Sequence, residues 1–555
     1  MDTDEKSIVV GYVNFDSGAS AAGEIPIMVP FESLKLVHRG QYVKIIQSSD
    51  GIEFLARISK GPFFETDAVS KDSAFARVSI LQASNPKIMA PEYHGTCFAQ
   101  VIGKLNDNLT VTGTHLRPRP QAAVRSLTSD EIEKILGLGG GDIYLGTGRG
   151  YEKVRVTLPS DSMAALPRNV GIFGTIGSGK TNSSQVLIEE ASTKNWTVVV
   201  LDVEGEYVDM DKPSVQKMQF KKFGMEPAGL KNFRVYHPSN AEPSRADSVE
   251  FGVPFGSIPP FIYSEILELS EPQQRRMEEA YSSLSRNGTT QGQRRQQNRN
   301  ELDRIADGGA ETVAGITLEN MIERVRFRAT QRQGADASSW NTLLSKLEKL
   351  RREGIFDQGK MVNFEDDILK HNTVHVVDFS TTVDDQINNL IIFHLLEGIF
   401  KRKRKDKAGK LPKVLVVIEE AHSFVSREKA ARMRETLLKL KEISRRGRKR
   451  WMGMCFVSQF PAHLPAEIYD LCNTIIAHQI RGGKHLDAIK DSTGGVDPLV
   501  WDEVPNLGEG ECLLVSSVFK NRPLFCKIRP CSSKRRFVED DDEENGEPDV
   551  GGSGK

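Results

Sequence analysis

An octapeptide near residue 180 limits the fold of this chain more than any other stretch. Gly174-Thr-Ile-Gly177-Ser178-Gly179-Lys180-Thr181 fits G-x-x-x-x-G-K-[ST], the phosphate-binding loop. Its flanks have the matching character. Asn169-Val-Gly-Ile-Phe173 before it reads as a short apolar strand, and Val186, Leu187, Ile188 and Ala191 after it fall at helical spacing. Glycines at Gly174, Gly177 and Gly179 let the backbone around Ser178 turn so that several N–H groups face one anion. The helix N-terminus that follows adds partial positive charge. Lys180 is expected to reach the β- and γ-phosphates of ATP, and Thr181 to hold Mg²⁺.

At 555 residues the chain is long enough for two to four domains. A hydrophobic share of 38% and a charged share of 27% are those of a globular protein with a sizeable core. The net charge of −1 excludes a uniformly basic nucleic-acid binder but leaves room for a local basic pore. The acidic start, the lack of an apolar targeting stretch and the lack of a run of about 20 apolar residues predict a cytoplasmic, membrane-free protein. Six scattered cysteines without a C-x-x-C pair predict reduced thiols rather than a metal site.

Two compositional regimes divide the chain. Residues 1–120 hold short strand candidates such as Ile8–Val13, Tyr42–Ile46, Phe54–Ile58 and Cys97–Ile102, separated by turn residues, and predict a small β-barrel. Residues 121–150 read as a linker with a capped helix from Thr128. Strands then alternate with helices over 151–244 and 366–535, the pattern of an α/β domain built on a mainly parallel sheet. A helical insertion is expected over 245–365, with the polar run Gln291–Asn300 at its tip. An acidic, disordered tail is expected over 536–555.

The second chemical signal is Val414-Leu-Val-Val-Ile418-Glu419-Glu420-Ala-His422. An apolar strand ending in two carboxylates is the Walker B pattern: Glu419 is expected to support the Mg²⁺ shell and Glu420 to polarise the attacking water. Asp202, Glu204 and Glu206 end the strand after the phosphate loop, where they would either face the ligand crevice or cap a turn. Gln459 ends another strand and would sense the γ-phosphate. The cations of Ser444–Arg450 suit a helix C-terminus, or supply an arginine to a neighbouring subunit's γ-phosphate; Arg168 is a second candidate for that task. Lys401–Lys405 reads as a loop before the Walker B strand, either solvated surface or a DNA contact.

In this order the elements resemble the HerA family of ring-forming DNA translocases, relatives of FtsK, over most of the chain. The resemblance rests on the N-terminal barrel, Gly174–Thr181, Leu201–Tyr207, Ile418–His422, Ser444–Lys449 and Ser458–Pro461. The chain departs from the family pattern at Glu419, where Asp is usual, at Arg446, where Glu is usual, and at Phe460, where Arg follows the Gln. The resemblance implies a RecA-like core and a homohexamer with ATP at subunit interfaces. Arg445 matches the family's trans-acting arginine and Arg168 a second arginine near the nucleotide. It also implies double-stranded DNA in a central channel. A partner would dock on the barrel: a NurA-like nuclease in DNA-end processing, or a nuclease-like or sirtuin-like effector in phage defence. The many Gln, Asn and Ser residues tilt the expectation toward defence. The alternative is an ATP-binding scaffold that activates an effector with little translocation. An ABC-type or SMC-type ATPase would carry an L-S-G-G-Q-like signature before Walker B, and this chain has none.

Overall fold

Apolar side chains of the N-terminal strands gather on one face, which lines a closed barrel. In the computed structural model, which describes residues 7–16, 23–66, 93–216, 220–287, 316–382, 384–428 and 434–537, the chain forms two compact units. The acidic start, Gln291–Asn300, Glu539–Glu544 and Gly551–Lys555 lie outside the described residues.

The first unit comprises residues up to Leu158 with the segments Gly495–Asn506 and Cys512–Lys527. Its barrel strands are β1 (Val9–Val13), β2 (Glu24–Val29), β3 (Tyr42–Gln47), β4 (Ile52–Thr66), β5 (Tyr93–Leu105), β6 (Val111–Thr112) and β7 (Ala123–Ser126). The order β2-β1-β7-β3-β4-β5, with β2 pairing back onto β5, closes the ring; β6 adds outside it. Val10, Ile27, Val43, Ile45, Phe54, Cys97 and Val124 point inward and exclude water from its centre. The ring needs β7, which lies past the Pro-rich Leu116–Pro120 and inside the stretch read from sequence as linker. Helix α1 (Ser129–Leu136) follows with a capping box: Thr128 Oγ1 accepts the Glu131 amide while the Glu131 carboxylate accepts the Thr128 amide. A hairpin of β8 (Ile143–Gly148) and β9 (Tyr151–Leu158) completes this part.

The second unit is the α/β body. Its strands are β10 (Val170–Phe173), β11 (Trp196–Asp202), β12 (Phe233–Pro238), β13 (Val249–Phe251), β14 (Thr373–Asp378), β15 (Lys413–Ile418), β16 (Met452–Ser458) and β17 (Thr474–Ala477). They pair in the order β13-β12-β14-β11-β15-β16-β10-β17, and every pairing is parallel. Strands covered on both faces read as unbroken apolar runs, and every residue of β10, β11 and β16 is buried. Late in the chain, β18 (Glu511–Ser516) and β19 (Leu524–Ile528) extend the first unit's hairpin in the order β18-β19-β8-β9.

Helix α2 (Lys180–Ser192) leaves the phosphate loop. The stretch read as a helical insertion opens instead with an edge strand, β13. It continues with α3 (Pro260–Ile266), α4 (Glu271–Asn287), α5 (Leu318–Thr330) and α6 (Gly334–Glu353). Helix α7 (Asp385–Lys405) precedes β15, and α8 (Arg434–Gly447) precedes β16. Lys401–Lys405 therefore forms the last turns of α7 rather than a loop. Lys403 is buried there and donates to the carbonyls of Leu411 and Pro412, and burial lowers its pKa to about 8. No helix among the described residues is long and apolar enough to cross a membrane.

Helix α2 is fastened from outside by a C-terminal strap. Buried Arg529 bonds the carboxylates of Glu189 and Glu190, each at 3.0 Å, and Ser533 donates twice to Glu189. Removing one member of a buried pair strands the other charge. Arg529→Ala is expected to cost about 3–5 kcal/mol of unfolding free energy, read by urea denaturation; a loss under about 1 kcal/mol would show that the strap is not holding the helix.

Candidate nucleotide site

A parallel sheet delivers all its carboxyl ends to one edge, and here that edge collects every strand-end residue singled out above. Phe173 is in register with Ser458 and with Ala477, Leu201 with Ile418, and Asp202 with Asp378. Strand β16, which ends before Gln459, lies between β10 of the phosphate loop and β15 of Glu419 and Glu420.

The phosphate loop is pinned on both sides. Gly174 N–H donates to Ser458 O at 3.4 Å, Thr175 N–H to Gln479 O at 2.8 Å, and Gly510 N–H to Ser178 O at 3.1 Å. Two glycines are dictated by space. A Cβ on Gly174 would stand 2.5 Å from Ser178 Oγ, and Gly179, at φ 105°, lies against the Gly510 backbone. Lys180 is buried and its Nζ donates to Thr175 O at 2.9 Å; burial lowers its pKa, while Glu420, Glu206 and Glu419 oppose that shift. An amine held this way, among carboxylates, is poised to exchange a carbonyl for phosphate oxygens.

Asp202 does what a turn cap does. Its carboxylate accepts the amides of Gly205 (2.7 Å), Glu206 (3.1 Å) and Tyr207 (2.9 Å), and this turn swings Glu206 onto the phosphate-loop helix. Thr181 Oγ1 donates to Glu206 Oε2 at 2.6 Å. The Glu419 carboxylate, by contrast, accepts the Glu204 amide at 3.3 Å and sits against Asp202. Burial and the neighbouring Asp202 push Glu419 well up, and burial raises Asp202 to about 6. The Thr181 hydroxyl and the half-buried Glu206 carboxylate beside it are hard oxygen donors of the kind suited to Mg²⁺, which takes one or two carboxylates and keeps several waters.

Glu420 stands at φ 42°, a left-handed backbone unusual for a non-glycine residue and concentrated at functional sites. Its Oε2 lies 2.9 Å from His422 Nδ1 and accepts the Gln459 amide at 3.4 Å, so the Walker B and Gln459 strands meet at this carboxylate. The His422 ring meets Phe460 edge-on at 5.2 Å, and Phe460 stacks on His463 at 5.4 Å.

The arginines lie elsewhere. Arg168 precedes β10, and Arg445 ends α8 before β16, so both stand at the amino edge of the sheet, opposite the phosphate loop. They share a cleft of about 400 Å³ with Arg448 and Lys449. Arg168 Nε is buried without a hydrogen-bond partner. Arg446 turns away, paired with Glu442 at 2.7 Å.

Two contacts escaped the motif reading. His422 on Glu420 arises from the tight turn after β15, which no periodicity announces. His478 bridges Ser183 Oγ (2.8 Å) and Glu511 O (2.9 Å) beneath the phosphate loop, linking residues far apart in the chain.

The central-domain family of the helicase HerA matches residues 143–399. The DNA double-strand break repair helicase HerA of Sulfurisphaera tokodaii is 24% identical over 530 residues, covering 94% of this chain and 93% of that protein. The protein of the same name from Pyrococcus furiosus is 21% identical over 454 residues, covering 76% and 75%. Among solved structures, VirB4 of Thermoanaerobacter pseudethanolicus aligns with 70% of this chain and 96% of its own, at TM-score 0.49 and 16% identity.

The raised carboxylates give a pH signature. Folding favours their protonated forms, so their contribution to stability is present at low pH and is lost as pH rises through their raised values, about 6 for Asp202. Glu419→Gln keeps the shape and removes the charge. In nucleotide-free, Mg²⁺-free protein the melting temperature of Glu419→Gln minus that of the wild type is expected to grow from pH 5 to pH 8. Taking the difference cancels the buried histidines, His375 and His394, whose lowered pKa values slope the other way.

Proposed function

The chain belongs to the HerA family, and we propose that it is a ring-forming, ATP-driven motor that translocates double-stranded DNA. The observation that carries this reading is the split of the catalytic set. Phosphate-loop, Walker B and Gln459 residues share one sheet edge, while Arg168 and Arg445 share a cleft at the opposite edge. A single copy holds ATP without arginines; a second copy supplies them.

In that arrangement Lys180 and the loop amides bind the β- and γ-phosphates, and Gln459 lines the γ-phosphate. Thr181, with Glu206 and Glu419, would hold Mg²⁺ and its waters; the ion neutralises charge on the phosphates when bound. Glu420, oriented by His422 and the Gln459 amide, accepts a proton from the attacking water. Arg445 of an adjacent copy, with its Arg168, stabilises the charge that develops on the γ-phosphoryl group. Hydrolysis thus requires the assembled ring, for which six copies is the family arrangement. A basic channel through that ring would hold DNA despite a near-neutral total charge.

The barrel is the proposed docking platform for a partner, either a NurA-like nuclease in DNA-end processing or an effector enzyme in phage defence. Phe31, Phe63 and Phe64 are exposed on it, with Tyr93 edge-on to Phe31 and Phe64. Exposed aromatic clusters of this kind suit a protein interface. A cytoplasmic location fits both settings.

Lys180→Ala is expected to abolish binding of a fluorescent ATP analogue, and normal turnover in that variant would refute the site. Glu420→Gln should retain nucleotide binding and lose on the order of 10²–10⁴-fold in turnover. Duplex DNA should stimulate wild-type ATPase activity in the presence of the partner. If DNA has no effect, and Glu420→Gln still activates the partner, the chain acts as an ATP-binding scaffold instead of a translocase.

A further inference from the structure

Between the two arginines of the cleft lies a residue that no motif marks. Asn169 follows Arg168 directly, is 2% exposed, and has φ 61°. Its amide makes three hydrogen bonds to three separate segments. Nδ2 donates to Ser444 Oγ at 2.5 Å and to Leu471 O at 2.9 Å; Oδ1 accepts the Met454 amide at 2.9 Å. Because Leu471 offers only a carbonyl and Met454 only an N–H, the orientation of the amide is fixed by its partners. The backbone continues the knot: Arg168 O accepts the Asn473 amide at 3.0 Å, and Asn169 O accepts the Thr474 amide at 3.3 Å.

Each bond reaches a wall of the cleft or its support. Ser444 adjoins Arg445 at the end of α8. Leu471 and Asn473 line the cleft. Met454 lies in β16, whose far end leads to Gln459. A buried side chain with every polar atom bonded rigidifies the segments it joins, and a positive-φ backbone persists only where its surroundings hold it. A guanidinium that must meet a phosphoryl group gains from a fixed base, since displacement by about 1 Å can cost about 10²-fold in rate.

We propose that Asn169 is a positioning residue that locks Arg168 and Arg445 into one anion-binding unit, presented to the nucleotide of an adjacent copy of this chain. The inference rests on the reading that these arginines act in trans. Asn169 itself touches no nucleotide. Its effect passes through the two guanidinium groups, and its bond to β16 joins the cleft to the strand that ends at the copy's own γ-phosphate residue, Gln459.

The test uses full-length protein with Mg²⁺-ATP. Asn169→Ala should lower kcat about 10–100-fold, with KM and binding of a fluorescent ATP analogue within twofold of wild type. Ser444→Ala, which cuts one bond only, should show a smaller loss of the same kind and guards against misfolding of the first variant. On an Arg168→Ala/Arg445→Ala background, Asn169→Ala should add less than twofold, because its effect passes through those two groups. Mixed rings of Asn169→Ala and Lys180→Ala subunits should then exceed either variant alone, since each supplies what the other lacks. Full additivity, loss of nucleotide binding in Ser444→Ala, or wild-type turnover in Asn169→Ala overturns the proposal. So does absence of recovery in those mixed rings when Arg445→Ala with Lys180→Ala does recover. If the arginine pairing also fails to recover, the trans reading itself falls, and the role of Asn169 falls with it.

Discussion

Everything at the nucleotide site follows from strands that all run the same way. Parallel pairing makes β10, β11, β14, β15, β16 and β17 end at one edge, and Asp202, Asp378, Glu419, Glu420 and Gln459 stand at or just beyond those ends. The same pairing sends every strand start to the other edge. Two chemistries, anion cradle and guanidinium cleft, are therefore kept a strand length apart in one copy. For the four residues of β10 that is about 13 Å.

Charge crowding is the second theme. Glu206, Glu419 and Glu420 face the buried ammonium of Lys180, and Asp202, Glu419 and Glu420 are themselves buried. The fold tolerates this by giving Asp202 three backbone amides, Glu419 one, and Glu420 an imidazole and an amide. A cation and a triphosphate would relieve what remains, and the raised proton affinities of Asp202 and Glu419 mark where the crowding is greatest.

Much of this was legible in the sequence, and the reasons differ from residue to residue. The phosphate loop and the Walker B pair are local patterns, where spacing alone sets geometry, and the apolar runs of β11, β15 and β16 announce buried parallel strands. Strand β7 was not legible because its four residues gain their meaning only by closing a ring with β1 and β3. Lys401–Lys405 looked like a loop because five cations in a row carry no helical period, yet they ride the end of a long apolar helix. Glu206 on Thr181, His422 on Glu420, and Asn169 on Ser444 depend on turns and long-range contacts that leave no trace in spacing. The placement of Arg168 beside Arg445 required the sheet order itself.

The strap over α2 has a temporal consequence. Asn182, Glu189 and Glu190 all bond residues 529–533, some 340 positions later in the chain. During synthesis the helix that begins with Lys180 is made long before the residues that fasten it. A chain cut before Arg529 would thus keep the phosphate-loop sequence and lose the side-chain bonds that fasten its helix.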